Sequence, residues 1–268
     1  MRKKIGLVLG AGGARGFCHI GVLEVFQENN IPIDIVTGCS MGAMIGGGFA
    51  AGVSTEQMRK TASQITSRQV FDVNIFQLRS SLKTGGGLAR GDRAMKIFKE
   101  FAGDVNIEDC KIPFAAIAAD LRAQKLHVFT RGPVATAIRA SISIPVIFRP
   151  VEHEGMLLVD GGLLKRMPIQ EARDLGADVI IAVDAIGPPR ELRSNSAFAI
   201  LDSSYQMMDW RAAHKEGTGA DILILPELTD RSSFVFRNNE EAIQIGREAA
   251  LTALPRIKEL VGCISSQG

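Results

Sequence analysis

Cysteine is scarce and scattered in this chain. Four occur among 268 residues, at Cys18, Cys39, Cys110 and Cys263. They form no C-x-x-C pair and have no metal-ligand spacing to histidine, so neither a metal site nor a disulfide framework is expected. Reduced, mostly buried thiols fit a cytoplasmic protein. An excess of one charge is also missing. The 31 basic and 29 acidic side chains leave a net charge of +2. No dense basic run stands out, which argues against nucleic acid as a partner. Long apolar runs are absent: no uninterrupted stretch approaches the ~20 residues of a membrane-spanning helix. The basic start Met1-Arg2-Lys3-Lys4 precedes a run, Ile5 to Leu9, that is too short for a signal peptide and reads as a first strand. Histidine numbers only four.

The material that is present suits a soluble globule. Hydrophobic residues make up 46% and charged residues 22%, enough for a sizeable core. Ile5–Leu9 predicts a buried strand. Apolar residues at Ile20, Val22, Leu23 and Phe26 predict a helix from His19 to Gln27. Ile33–Val36 predicts a second strand, and Met41–Ala51 a Gly/Ala-rich helix lying close to a sheet. Ser54-Thr55-Glu56-Gln57 fits a capping box. Phe71–Gly91, with Gly85-Gly86-Gly87, reads as a surface segment and a candidate lid. A helix is expected over Asp92–Phe101. Phe114–Ala119 and Leu126–Thr130 predict a hairpin. A helix through about Ser141 follows Gly132-Pro133. Met156–Val159 predicts a strand delivering Asp160, and Pro168–Leu175 a short helix. Val179–Val183 and Ile222–Leu225 predict strands, and Ala197–His214 a helix containing Trp210. The last helix, Glu240–Leu260, should be kinked or interrupted at Pro255. Strands alternating with helices imply an α/β fold: a three-layer sandwich with a mainly parallel central sheet.

The chemistry-bearing feature is Gly38-Cys39-Ser40-Met41-Gly42. This G-x-S-x-G pattern lies between an apolar strand and a small-residue helix. A tight turn there lifts a serine hydroxyl above the sheet edge, and the flanking glycines keep side chains out of its way. An alcohol needs a base to take its proton and donors for the oxyanion it creates. The loop Gly10-Ala11-Gly12-Gly13-Ala14-Arg15-Gly16 follows strand one and opens a helix. It offers the N–H groups of Gly12, Gly13 and Ala14 at a positive helix end, with Arg15 beside them. The N–H of Met41 is a further donor. The four histidines are His19, His127, His153 and His214. None sits in a glycine-framed turn at a strand end, whereas Asp160-Gly161-Gly162 does. Asp160 is the candidate base and Ser40 the candidate nucleophile.

These residues resemble the patatin-like phospholipase family over roughly Ile5 to Leu260. Gly12-Gly13-Ala14-Arg15-Gly16 is similar to its oxyanion loop, although Ala11 stands where a first glycine is common. Gly38–Gly42 is similar to its nucleophile elbow and Asp160-Gly161-Gly162 to its D-G-[GA] motif. Ala140–Pro145, with Phe148 and Pro150, resembles the segment leading to that aspartate. The resemblance implies one domain over residues 5–260 and a flexible tail over residues 261–268. It implies a Ser–Asp dyad without histidine and hydrolysis of an acyl ester, often a lipid, through an acyl-serine. No metal or organic cofactor is implied. The expected partner is an acyl-ester or lipid substrate, with transient contact at a membrane surface; protein partners are not legible.

Plainer readings stand beside these. Asp160 fits a turn aspartate that bonds its own backbone. Cys39 fits a buried small residue under the elbow. Arg15 fits either an anion contact or a salt bridge that holds the loop. His19 fits a structural bond to a backbone carbonyl, and Asp34 and Asp120 fit turn or cap roles. The glycine loop has the wrong spacing for a dinucleotide fingerprint, Gly10-x-Gly12-x-x-x-Gly16, and no acidic residue at the end of strand two. A regulatory or adaptor protein on the same scaffold, with low or vestigial esterase activity, is the alternative from another class.

Overall fold

A computed structural model describes residues 2–70, 104–188, 219–228 and 231–265, with a few single residues between 191 and 207. The expected Phe71–Gly91 lid, the Asp92–Phe101 helix and most of the Ala197–His214 helix, Trp210 included, lie outside the described residues.

Among the described residues eight strands form one sheet: β1 (Ile5–Leu9), β2 (Ile35–Cys39), β3 (Phe114–Asp120), β4 (Lys125–Phe129), β5 (Val151–His153), β6 (Met156–Asp160), β7 (Val179–Val183) and β8 (Ile222–Ile224). Hydrogen-bonded neighbours run β5-β6-β3-β2-β1-β7-β8, and β4 also pairs β3. The β1–β2, β1–β7, β2–β3 and β7–β8 pairs are parallel. The β3–β4, β3–β6 and β5–β6 pairs are antiparallel. The expected mainly parallel sheet with an antiparallel hairpin is present, and its parallel part has the near-continuous apolar strands that burial on both faces demands.

Helices cover both faces. Along β1, Ile5, Leu7 and Leu9 point into the larger core, while Val8 points into a smaller one with Ile35, Met167 and Ile180. That is the period-two alternation of a strand. Helices α1 (Cys18–Glu28), α2 (Met41–Ala51) and α5 (Val134–Ser141) contribute to the larger core, and α6 (Ile169–Asp174) to the smaller. The short helices α3 (Thr55–Gln64) and α4 (Ser67–Val70) follow α2; Ser54 caps α3 by accepting the Gln57 N–H. Each fully buried Leu, Ile or Phe contributes about 1.5–3 kcal/mol.

The last helix, α7 (Asn239–Ser265), is one continuous element with Pro255 inside it, and its final turn runs into the stretch expected as a tail. It docks on α1 through two glycines. A Cβ at Gly21 would stand 2.0 Å from the Ile243 carbonyl oxygen, and one at Gly246 2.0 Å from the Cys18 carbonyl oxygen. Two expectations are corrected. Strand two begins at Ile35 and runs to Cys39, because Asp34 turns its carboxylate back onto the Ile5 N–H. No strand is expected immediately before Met156, yet Val151–His153 forms β5, three residues being too few for alternation to reveal.

Candidate active site

The register of β3 explains how Ser40 and Asp160 meet. Gly38 and Cys39 of β2 lie opposite Ala116 and Ile117. Asp160 and Val159 of β6 lie opposite Ala118 and Ala119. Strand β4 occupies the other edge of β3 over the same residues. So β2 and β6 share one edge of β3 and meet end to end, with Cys39 and Asp160 at adjacent register positions. Two strands far apart in sequence thereby deliver their last residues to one point.

Ser40 sits in the turn between β2 and α2 at φ 53°, ψ −121°. A positive φ is uncommon for serine and marks strain held by its surroundings. The Ser40 hydroxyl donates to Asp160 Oδ2 at 2.7 Å. The Ser40 N–H donates to Ser141 Oγ at 2.8 Å. Gly42 lets α2 begin hard against the sheet: a Cβ there would lie 2.0 Å from the Leu9 carbonyl oxygen. Gly38 is similarly tight, its Cβ position lying 2.5 Å from the Gly42 carbonyl oxygen.

Asp160 makes the bond of a turn aspartate and also contacts Ser40. Oδ1 accepts the Gly162 N–H at 2.8 Å, the bond of a turn aspartate, while Oδ2 faces Ser40. Gly161 allows this turn to press on β3, 2.6 Å from the Ile117 carbonyl oxygen at its Cβ position. Asp160 is 2% exposed. Burial raises its pKa to about 6, against the lowering effect of its bonds from Ser40, Gly162 and Cys39. Buried Cys39 lies beneath the elbow, as its plain reading held, with Sγ 3.9 Å from Asp160 Oδ1.

The glycine loop lies beside the elbow; a Cβ at Gly16 would sit 2.5 Å from Met41 Cγ. The loop is anchored by backbone bonds: Gly10 N–H donates to Val183 O and Ala11 N–H to Arg166 O. Arg166 in turn pairs with Asp184 at 2.8 Å in full burial. Buried His19 bonds the Gly10 carbonyl at 2.9 Å, and burial lowers its pKa to about 4, so it stays neutral and donates from Nε2. Its structural reading fits. Gly13 adopts φ 54° and, with Ser40 and Met41, lines an apolar slot of about 50 Å³. Phe17, Met44, Ile142, Ile144, Phe148 and Phe236 build much of its wall.

Two expectations about this loop change. Ala14 N–H is committed elsewhere, donating to the Ser233 carbonyl at 2.8 Å. Buried Arg15 does not line the slot; its Nε donates to Arg231 O at 2.7 Å and a terminal N–H to Ile186 O. The guanidinium ties the loop to two later segments through carbonyl oxygens. Gly12 and Gly13 show no acceptor for their N–H groups among the described residues, and neither does Met41 at the start of α2. Sequence reasoning missed the Ser233 contact, because residues 231–238 carry no periodicity that would place them over this loop. In the sequence Ser141 stands out only as a helix end within the Ala140–Pro145 stretch, with nothing local to aim its hydroxyl at Ser40. Asp120 and Asp34 are turn ligands: Asp120 accepts the Arg122 and Leu157 N–H groups.

Comparison with known proteins now bears on this geometry. An NTE family protein of Mycobacterium tuberculosis is 38% identical over 196 residues, 72% of this chain and 53% of that protein. Lysophospholipase nte1 of Emericella nidulans is 37% identical over 186 residues, 68% of this chain and 12% of that protein. The chain thus spans about half the length of the first of these relatives and far less of the second. VipD from Legionella pneumophila shares the fold with a TM-score of 0.57 at 13% identity, over 95% of this chain and 67% of that one. Human GIVD cytosolic phospholipase A2 shares it with a TM-score of 0.54 at 12% identity, over 98% and 59%. A sequence profile described as patatin-like phospholipase matches residues 7–173, a stretch that holds the glycine loop, Ser40 and Asp160. The chain belongs to the patatin-like phospholipase family.

Proposed function

We propose that this chain is a serine hydrolase of lipid acyl esters, with Ser40 as nucleophile and Asp160 as its base. The 2.7 Å bond from the Ser40 hydroxyl to Asp160 Oδ2, made in burial beside an apolar slot, carries this reading. None of the described histidines hydrogen-bonds Ser40: His19 holds Gly10, and His127 and His153 pack on Phe129.

Asp160 accepts the Ser40 proton as Oγ attacks the acyl carbon. The carbonyl oxygen gains negative charge, which the N–H groups of Gly12, Gly13 and Met41 stabilise; Ala14 drops out of this set. The N-terminus of α2 adds its positive end. The tetrahedral adduct collapses, Asp160 returns the proton to the leaving alcohol, and acyl-Ser40 remains. Water then attacks with Asp160 again as base, releasing the fatty acid and restoring the Ser40 hydroxyl. A pKa near 6 suits a group that must take and return one proton near neutrality. The apolar wall of the slot suits an acyl chain, and the lysophospholipase names of several relatives favour a lysophospholipid. Gly10, Arg15, Gly16, Gly38, Gly42, Gly161 and Gly162 support the backbone around these groups. Among the described residues no helix is long and apolar enough to cross a membrane, so the substrate is met at a membrane surface or as a dispersed lipid.

The test is labelling with a fluorophosphonate probe, followed by turnover of a lysophospholipid, a diacyl phospholipid and a p-nitrophenyl ester. Wild type should label and turn over, and Ser40→Ala should do neither. Labelling that persists in Ser40→Ala would end the assignment. Wild-type turnover no faster than that of Ser40→Ala would favour an adaptor role.

A further inference from the structure

We propose that Ser141 is a positioning residue, which holds the strained Ser40 backbone in its reactive conformation; this rests on Ser40 being the nucleophile. Ser141 is the last residue of α5 and fully buried. Its Oγ accepts the Ser40 N–H at 2.8 Å. Ser40 itself is 5% exposed, so water is a poor substitute acceptor for that N–H. The Ser40 φ of 53° is therefore held in place by a bond from a residue far away in sequence.

Two residues on, the same segment grips the other half of the pair. The Ser143 carbonyl accepts the Asp160 N–H at 3.0 Å. Ser143 is locked in turn: its hydroxyl donates to the Arg139 carbonyl and accepts from the Arg139 guanidinium. That guanidinium also donates to Arg149 O and lies over the Phe148 ring, 5.8 Å from its centroid. The turn at the end of α5 thus bonds the backbone of Ser40 through Ser141 and that of Asp160 through Ser143. A serine suits the first task, because its side chain is short and its oxygen accepts. Without that oxygen the elbow N–H loses its partner and φ can relax toward the common negative range. The Ser40 hydroxyl then swings from Asp160, whose own bonds to Ser143 and Gly162 remain. Substrate binding in the slot is untouched, since Ser141 does not line it.

Ser141→Ala and Ser141→Thr, the latter keeping the oxygen, test this beside Ser40→Ala. Rates are referred to active sites titrated with the fluorophosphonate, so misfolded protein does not mimic slow turnover. Ser141→Ala should lower kcat and the labelling rate together by about 10- to 100-fold, with KM changed by less than about twofold. Ser141→Thr should recover most of that loss. The proposal is overturned if Ser141→Ala turns over at the wild-type rate, if its loss lies in KM, or if folded Ser141→Thr is as slow as Ser141→Ala. Failure of both variants to fold would mark Ser141 as a folding residue only, and also overturn it. Labelling that survives in Ser40→Ala instead removes the nucleophile and, with it, the role of Ser141.

Discussion

The two sides of the candidate site are held by different means. On the dyad side, Ser40 follows the last residue of β2 and Asp160 ends β6, and their side chains bond each other in burial. On the glycine-loop side, Gly10 to Arg15 is fixed by backbone carbonyls of three later segments: Arg166, Val183 with Ile186, and Arg231 with Ser233. The first side is built by the regular ladder of the sheet. The second depends on irregular chain closing over it. On the proposed mechanism the contrast separates the group that reacts from the groups that wait for charge to develop. A nucleophile and its base need one fixed distance, which strand register supplies. Oxyanion donors need N–H groups left over, which only an irregular loop with committed neighbours leaves in place.

The largest effect should come from the dyad side. Asp160→Asn should lower kcat for p-nitrophenyl esters by about 10³-fold or more, with the protein folded by circular dichroism. An effect below tenfold would remove Asp160 as base and dissolve the contrast. In wild type kcat/KM should rise with pH and level off above about 6, the pKa to which burial brings Asp160. A profile flat from pH 5 to 8 would contradict it.

Next is Gly13→Ala on the loop side. Its φ of 54° disfavours a side chain, and a Cβ would stand 2.2 Å from the Ser233 carbonyl oxygen. The loop or the Ser233 segment must shift, taking an oxyanion donor with it. We expect kcat to fall about 10²- to 10³-fold, the scale of losing one such donor, while fluorophosphonate labelling slows less. Wild-type turnover in Gly13→Ala would mean that the loop carries no oxyanion donor.

The smallest effect is on stability. The gap between the ordinary 3.8 and about 6 for Asp160 corresponds to about 3 kcal/mol. A carboxyl whose folded pKa is raised favours folding most when protonated, below about 4. That contribution is lost as pH rises through about 6. Asp160→Asn should therefore raise Tm by a few degrees at pH 7.5 and change it little at pH 4. An unchanged or lowered Tm at pH 7.5 would show that the ionised carboxylate is compensated better than its burial implies.

Much of this was legible in the sequence because it is local chemistry. Glycines at Gly38, Gly42 and Gly161 announce tight turns, and the turns put Ser40 and Asp160 at strand ends. Strands β1 and β2 pair in parallel, as a connection through one helix allows. The meeting of β2 and β6 along β3 was not legible, since strand order is decided by packing between distant segments. Strand β5 escaped because Val151-Glu152-His153 is too short for a period to show. The Ala14 donor was misjudged for a related reason: an N–H at a helix start reads as free until a distant carbonyl, here Ser233, is known to face it. Arg15 left two options open, and its bonds to the carbonyl oxygens of Arg231 and Ile186 are those of a residue that holds the loop.

The end-to-end arrangement of β2 and β6 also sets a time. During synthesis Ser40 is made long before Asp160, and the proposed base reaches the elbow only when β6 has paired with β3. The pairing is non-local, the kind of contact that forms late in folding. Under the proposed mechanism a nascent chain or an amino-terminal fragment ending before Asp160 therefore carries an inert serine. On the proposed reading reactivity arrives with the completed sheet, so the nucleophile is not active while the chain is still unfolded.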